Sequence, residues 1–299
     1  LLKDETPRDM YRRVAKAAAK QLKKPKLEKK FFEYIDKNWL CLATPVAANM
    51  GAERALPISC FASHSSDTTI GIFEGYTEIA MLSKHGGGIG RYWGDVRGRG
   101  VPISGGGFSE GIIPWLKVEE STVMAVSQAG TRRGSAASYL DIEHPDIEEF
   151  IDLRRPTGDV SRRCLSISFH HGVCIGDEWM QSMLDGDLNK QALWEKLIRA
   201  RVETGEPYIM FRDNANRNLP EAYTKNNLSV KTSNLCSEIF LHTDPDHTFV
   251  CCLSSLNLAR YDEWKDSDLV ATSIWFLDAV MEEFIQKAKQ LPGFAKAVR

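Results

Sequence analysis

The segment Ser233-Asn234-Leu235-Cys236-Ser237-Glu238-Ile239 decides how the rest of this chain is interpreted. It places a carboxamide, a thiol and a carboxylate at alternate positions, Asn234, Cys236 and Glu238. Alternate side chains of an extended segment point to the same side, so we expect these three groups to share one face. Such a set can orient a hydroxyl group, exchange a hydrogen atom and move a proton. The segment therefore predicts a catalytic loop.

Two further thiols lie in apolar, strand-like settings, Cys60 after Leu-Pro-Ile-Ser and Cys251 after Thr-Phe-Val. A lone cysteine is usually a small buried hydrophobic residue, and this interpretation is kept for Cys41, Cys164, Cys174 and Cys252. The cysteines are scattered and include no C-x-x-C pair, which indicates a reducing compartment and not a disulfide scaffold. The histidines show no zinc-ligand spacing, so no metal site is predicted.

Composition sets the outer limits of function. The chain has 299 residues, of which 43% are hydrophobic and 26% charged, as in ordinary globular proteins. Its net charge of −2 gives no reason to expect direct nucleic-acid binding. No apolar run approaches the ~20 residues that cross a bilayer, and the first residues lack the pattern of a signal peptide. We therefore expect a cytoplasmic protein without membrane contact.

The local patterns indicate strands interleaved with helices. Thr6-Pro7-Arg8-Asp9 is a helix start, with a hydroxyl cap, a proline and an acid three residues after the cap. Apolar periodicity predicts further helices over 27–39, 78–85, 189–201 and 269–291, and alternation predicts a strand over 165–169. This order is typical of an α/β fold with a parallel sheet.

The 233–239 segment, Cys60 and Cys251 together resemble the radical loop and redox thiols of the large subunit of class I ribonucleotide reductases. The resemblance runs from about Thr6 to Trp264. It implies an α/β fold that is the first half of a ten-stranded barrel with a central finger loop, preceded by a helical segment. The implied domains are a helical lead-in over 1–40, then the first half-barrel, finger loop and start of the second half over 41–299. The family's N-terminal cone domain and its C-terminal part are absent from this sequence, which suggests an internal or split fragment.

The resemblance also implies roles for the catalytic residues in reducing ribonucleotides to deoxyribonucleotides for DNA synthesis. Cys236 would form a thiyl radical that takes the 3′ hydrogen of the substrate, and Glu238 would remove the 3′-hydroxyl proton. Asn234 would hold the sugar hydroxyls. Cys60 would protonate the leaving 2′-hydroxyl, and Cys60 and Cys251 would end as a disulfide.

Binding residues are implied in the same way. The substrate phosphates would meet Thr44, Ser59 and Gly88. A regulatory nucleotide would meet Asp67 through its ribose and Arg97 through its phosphates, with Ile103, Gln128 and Arg132 also in contact. Ser104 stands where some relatives have a second basic residue. The run Gly86 to Gly90 is not a dinucleotide-binding motif, because Trp93 occupies the position of the last glycine.

The implied cofactors and partners complete the hypothesis. The chain itself would bind no cofactor; a metal-containing small subunit would supply the radical, and dNTP or ATP would be the effector. The substrate would be a ribonucleoside diphosphate, the large subunit a homodimer, and thioredoxin or glutaredoxin the reductant. Two alternatives stay open: a cobalamin-dependent class II reductase, and a non-catalytic nucleotide-binding fragment that needs its missing half. The Thr6-Pro7 lead-in and the wording of the 233–239 segment favour class I over class II.

Overall fold

The structure is a computed structural model that describes residue 2 and residues 5–53, 55–126 and 133–299. The chain divides into two compact units. The first combines Leu1–Ser59 with Val250–Val298, and the second comprises Cys60–Phe249 together with Arg299.

The helices are, in chain order, α1 (Pro7–Gln21), α2 (Leu27–Asp36), α3 (Thr44–Asn49), α4 (Thr69–Lys84), α5 (Ile113–Val126), α6 (Ile147–Ile151), α7 (Asp177–Leu184), α8 (Leu188–Thr204), α9 (Arg212–Arg217), α10 (Glu221–Lys225), α11 (Tyr261–Trp264) and α12 (Leu269–Ala288). The strands are β1 (Leu40–Leu42), β2 (Cys60–His64), β3 (Gly88–Tyr92), β4 (Ser135–Asp141), β5 (Phe169–Ile175), β6 (Tyr208–Phe211), β7 (Phe249–Val250) and β8 (Ser254–Leu256).

The first unit is mainly helical. The predicted start of α1 is confirmed: the Thr6 hydroxyl accepts a hydrogen bond from the Asp9 backbone, and the Asp9 carboxylate accepts one from the Thr6 backbone, both at 3.2 Å. Small and apolar residues of α1 are buried where this helix packs on α2 and α12. Phe31 of α2 contacts Phe276 of α12 with ring centroids 5.4 Å apart. Strands β1 and β8 pair antiparallel.

The second unit contains the predicted parallel sheet. Its strands lie in the order β6-β5-β4-β3-β2, all parallel, and β7 follows β2 in the same order. In the register, Cys60 at the start of β2 lies beside Gly88 at the start of β3. One face of the sheet carries a cluster of buried residues from three strands and the 228–248 segment: Ala137, Tyr139, Cys174, Met210 and Val230.

Helix α4 begins at Thr69, nine residues before the predicted start at 78. The Thr68 hydroxyl caps it by accepting a hydrogen bond from the Gly71 backbone at 3.0 Å. Periodicity fails to predict this first part because the exposed apolar residues Ile70 and Phe73 widen its apolar face beyond one stripe. Gly75 of this helix lies against Arg91: a Cβ there would stand 2.0 Å from the buried guanidinium, which would have to move. Helix α2, predicted to reach 39, ends at Asp36.

The strand predicted over 165–169 is wrong. Strand β5 starts only at Phe169, and Ile167 is 81% exposed in the preceding segment. The true strand is buried at nearly every position because both faces of the sheet are covered, one of them partly by the 228–248 segment, so it lacks the alternation of a half-buried strand. The helices predicted over 189–201 and 269–291 are confirmed as α8 and α12.

Candidate active site

Residues 228–248, which we call the finger loop, connect α10 to β7 without regular secondary structure. Its tip is a turn and not the predicted extended segment. The Ser237 backbone N–H donates to the Asn234 carbonyl oxygen at 3.2 Å, and Ser237 has a left-handed φ of 61°. The expectation that the three side chains share one face of a strand is therefore wrong, because the chain reverses direction between Asn234 and Glu238.

The buried side chain of Asn234 is the centre of this turn. Its Nδ2 donates to Glu238 Oε1 and to Cys60 Sγ, each at 2.8 Å. Its Oδ1 accepts hydrogen bonds from the backbone N–H groups of Glu238 and Ile239, both at 3.1 Å. One amide thus brings a carboxylate of the finger loop and a thiol of β2 together. Both polar atoms of the amide are used, so its orientation is defined.

Two glycines of β3 make room for the tip. A Cβ at Gly90 would stand 1.9 Å from the Ser233 carbonyl oxygen, and one at Gly88 would stand 2.7 Å from Leu235 Cδ2. The finger loop therefore lies directly on the backbone of the strand. The Tyr139 hydroxyl of β4 fixes it further by donating to the Asn234 carbonyl oxygen at 2.7 Å, and burial raises the pKa of this tyrosine.

The three predicted catalytic thiols differ in their surroundings. Cys236 is exposed at the tip of the finger loop, and Cys60 is half-buried at the start of β2. Cys251 belongs to the first unit and is buried there. Its neighbour Cys252 donates weakly to the Leu277 carbonyl oxygen at 3.6 Å, and burial raises its pKa to about 12. No disulfide joins cysteines in the described part of the chain.

The predicted substrate-binding residues occupy both units. Thr44 is the exposed first residue of α3, and Ser59 is buried immediately before Cys60, both in the first unit. Gly88 is in the second unit, beside Cys60 and in contact range of Leu235. Their roles in substrate binding stay predictions.

A cavity of about 630 Å³ in the second unit contains three of the predicted effector residues, and we call it the nucleotide pocket after this predicted ligand. Arg97 Nε donates to both carboxylate oxygens of Asp67, at 3.0 and 2.9 Å, and the Arg97 backbone N–H donates to Asp67 Oδ1 at 3.2 Å. Ile103 and Trp115 contribute apolar wall. A charged pair beside apolar surface suits a ligand with an anionic end and a planar base. Gln128 and Arg132 lie outside the described residues.

Sequence patterns did not predict several residues that hold the finger loop in place: Tyr139, Leu235, and the charged group formed by His64, Asp95 and Lys231. Each acts through a partner that is distant in the chain, and no short motif records such a pairing. Across the ranges that the structure covers, no group of three His, Cys, Asp or Glu side chains is arranged to hold a metal ion. Nor does any described helix combine the length and apolarity needed to cross a membrane.

Family comparisons agree with this arrangement. The all-alpha domain of ribonucleotide reductase matches residues 1–55, and the barrel domain of ribonucleotide reductase matches residues 58–191 and 185–292. These matches cover most of the chain, which therefore belongs to the ribonucleotide reductase large-subunit family. The fold-class prediction is confirmed: the parallel sheet and finger loop belong to the family's barrel domain, preceded by a helical segment.

Individual relatives support the same assignment. The putative ribonucleoside-diphosphate reductase large subunit of Frog virus 3 (isolate Goorha) is 40% identical over 292 residues, covering 92% of this chain and 50% of that protein. The ribonucleoside-diphosphate reductase subunit alpha of Helicobacter pylori (strain ATCC 700392 / 26695) is 34% identical over 294 residues, covering 84% of this chain and 37% of that protein. The solved Actinobacillus ureae class Id ribonucleotide reductase alpha subunit matches with a TM-score of 0.92 and 38% identity, over 100% of this chain and 55% of its own. The chain thus spans about half the length of the Frog virus 3 protein and 37% of the length of the Helicobacter pylori protein.

Proposed function

We propose that this chain carries the radical thiol of a class I ribonucleoside-diphosphate reductase large subunit. The observation that supports this most is the single amide of Asn234, which ties Glu238 and Cys60 together beside Cys236. A carboxylate, an exposed thiol and a second thiol held in one region are what radical reduction of a ribose requires. The same proposal keeps 1–40 as a helical lead-in and 41–299 as the first half-barrel, finger loop and start of the second half.

The first chemical stage uses the finger loop. In the proposed mechanism a metal-containing small subunit supplies the oxidising radical. The Cys236 sulfur radical then takes the 3′ hydrogen atom of a ribonucleoside diphosphate, forming an S–H bond and leaving an unpaired electron on C3′. Glu238 accepts the 3′-hydroxyl proton as general base. Asn234 keeps that carboxylate oriented through its own Nδ2 hydrogen bond.

The second stage replaces the 2′ C–O bond by a C–H bond. Cys60 protonates the 2′-hydroxyl group, which leaves as water. Cys251 then gives a hydrogen atom to C2′, and the Cys60–Cys251 pair gives one further electron as its S–S bond forms. Glu238 returns its proton to the 3′ oxygen, and Cys236 returns the 3′ hydrogen atom. Each turnover thus converts one ribonucleotide and two thiols into one deoxyribonucleotide, one disulfide and one water. Thioredoxin or glutaredoxin would reduce the disulfide, and the cytoplasm is the compartment where these reductants act.

Two alternatives have distinct consequences. A class II enzyme would use the same residues with cobalamin as radical source, but the 38% identity to a class Id alpha subunit favours class I. A non-catalytic nucleotide-binding fragment would bind nucleotide and never reduce it. Combining this chain with the rest of a large subunit and with a small subunit, then assaying deoxyribonucleotide formation, separates catalysis from binding alone.

We expect one turnover without external reductant to link Cys60 to Cys251 in the complete large subunit. Cys252 should stay a thiol, because its raised pKa leaves almost no thiolate at neutral pH. Peptide mapping after alkylation identifies the linked residues. The Cys60→Ser variant is the control and should form no such link. A bridge that contains Cys252 would show that Cys252, and not Cys251, is the redox partner of Cys60.

We expect Asp67→Ala to weaken binding of a deoxynucleoside triphosphate, with dTTP as the probe, by more than about tenfold. Loss of a hydrogen bond to a charged group costs ~1.5–3 kcal/mol, which corresponds to at least that factor. Effector-dependent substrate choice should disappear while basal reduction survives. Calorimetric titration of the chain with dTTP measures the affinity, and Asp159→Ala, an exposed acid away from the nucleotide pocket, is the matched control. Equal affinity in both variants would make Asp67 an ordinary surface acid.

A further inference from the structure

Three polar side chains meet where β2 and β3 end, and we call them the ion triad: His64, Asp95 and Lys231. His64 Nε2 donates to Asp95 Oδ2 at 2.7 Å, and Lys231 Nζ donates to the same oxygen at 2.6 Å. The His64 side chain is 3% exposed, whereas those of Asp95 and Lys231 are about two-fifths exposed. One carboxylate oxygen therefore joins the end of a sheet strand to the finger loop.

The protonation of the triad follows from its surroundings. Burial lowers the pKa of His64, although its hydrogen bond to Asp95 acts in the opposite direction, so the imidazole is neutral. Burial alone would raise the pKa of Asp95, but the hydrogen bonds from Lys231 and His64 outweigh it and hold the pKa below its usual value. The triad is thus a charged Lys231–Asp95 pair that a neutral imidazole orients.

Two short segments lead from the triad to the nucleotide pocket. One begins at His64 and reaches Asp67, and the other begins at Asp95 and reaches Arg97. They are joined at the triad by the His64–Asp95 hydrogen bond and at the pocket by the Asp67–Arg97 pair. The triad and the pocket are therefore connected by two segments of only a few residues each.

The other arm of the triad leads to the reactive tip. Lys231 is followed by Thr232, Ser233 and Asn234, which are all fully buried. The Ser233 hydroxyl also donates to the Ile239 carbonyl oxygen at 2.8 Å, across the finger loop. Lys231 is thus joined to the turn that holds Cys236 by a stretch that is packed along its length.

We propose that Lys231 is a positioning residue that couples occupancy of the nucleotide pocket to the placement of Cys236 through Asp95. The inference rests on the proposed function, since it takes the pocket ligand to be a deoxynucleoside triphosphate. Its phosphates carry more negative charge than one carboxylate and compete with Asp67 for Arg97. Release of that pair frees the pocket end of the two segments, and the resulting shift of Asp95 reaches the finger loop through Lys231.

The test measures how fast iodoacetamide alkylates Cys236, resolved from the other thiols by peptide mass spectrometry, in the chain with and without saturating dTTP. A coupling free energy in the usual range changes this rate about fivefold or more. Lys231→Met should abolish the response to dTTP while calorimetry still finds dTTP bound, with an affinity changed by no more than the coupling factor. Lys231→Arg, which keeps the charge, should restore it. Lys225→Met removes an exposed lysine that pairs with Glu221 on α10 and should respond like wild type.

The outcomes separate the two proposals. Normal dTTP binding with an unchanged response in Lys231→Met, or no response in the wild type, overturns the coupling and leaves the nucleotide pocket assigned. Failure of the wild-type chain to bind dTTP overturns the effector assignment and the coupling with it. A structural role for Lys231 alone would alter stability without removing the difference between the nucleotide-bound and nucleotide-free rates.

Discussion

Replacing Cys236 by serine is expected to abolish turnover in the complete large subunit. An O–H bond is much stronger than an S–H bond, so serine cannot form the radical that removes the 3′ hydrogen atom. The substitution is nearly isosteric, and the hydrogen bonds that shape the turn come from Asn234. Nucleotide binding and association with the small subunit should therefore persist. Deoxyribonucleotide formation and exchange of the 3′ hydrogen with solvent are the two measurements.

The control for this variant is Cys41→Ser, which removes a half-buried thiol of β1 that has no part in the proposed chemistry. It should retain wild-type turnover. Substantial turnover in Cys236→Ser would show that the finger loop is not the radical site, and the proposed mechanism would have to be abandoned.

Glu238→Gln is expected to lower the rate of reduction by about 10²–10⁴-fold, the usual contribution of a general base. The glutamine carbonyl oxygen can still accept the hydrogen bond from Asn234 Nδ2, so the turn keeps its shape. The amide cannot accept the 3′-hydroxyl proton, and loss of the 2′ group becomes slow. Because Cys236 is intact, 3′ hydrogen exchange should continue and a substrate radical should accumulate, which electron paramagnetic resonance detects.

The contrast between the two variants is the sharper test. Cys236→Ser fails before the substrate radical forms, and Glu238→Gln fails after it. If Glu238→Gln also lacked 3′ hydrogen exchange, the carboxylate would be needed to place the thiol and not to take the proton.

Local signals predicted the elements that local energetics control. The Thr6–Asp9 capping box and the amphipathic faces of α8 and α12 belong to short stretches, and each was recognisable there. Buried elements were predicted less well. Strand β5 is buried at nearly every position and the first part of α4 carries exposed apolar residues, so neither shows the periodicity of a half-buried element.

The candidate site divides in the same way. The types and spacing of Asn234, Cys236 and Glu238 indicated chemistry, but the turn that joins two of them depends on a left-handed Ser237 that no pattern required. The contact between Asn234 and Cys60 follows from the strand register of the second unit, which single residues do not reveal. The ion triad was missed for the same reason, since its members come from the end of β2, the segment after β3 and the finger loop.

The glycines beneath the finger loop have a consequence for the order in which the chain assembles. Asn234 meets Cys60 across 174 residues and Tyr139 across 95, and Ser233 lies against Gly90. Closing such long loops is entropically costly. Contacts this distant in sequence offset that cost only after the intervening strands have aligned. The surface that receives the tip does not exist until β2, β3 and β4 are in register. Before that stage Cys236 is a thiol without its neighbouring carboxylate and second thiol held in place, so the reactive arrangement is completed only when folding of the second unit is nearly finished.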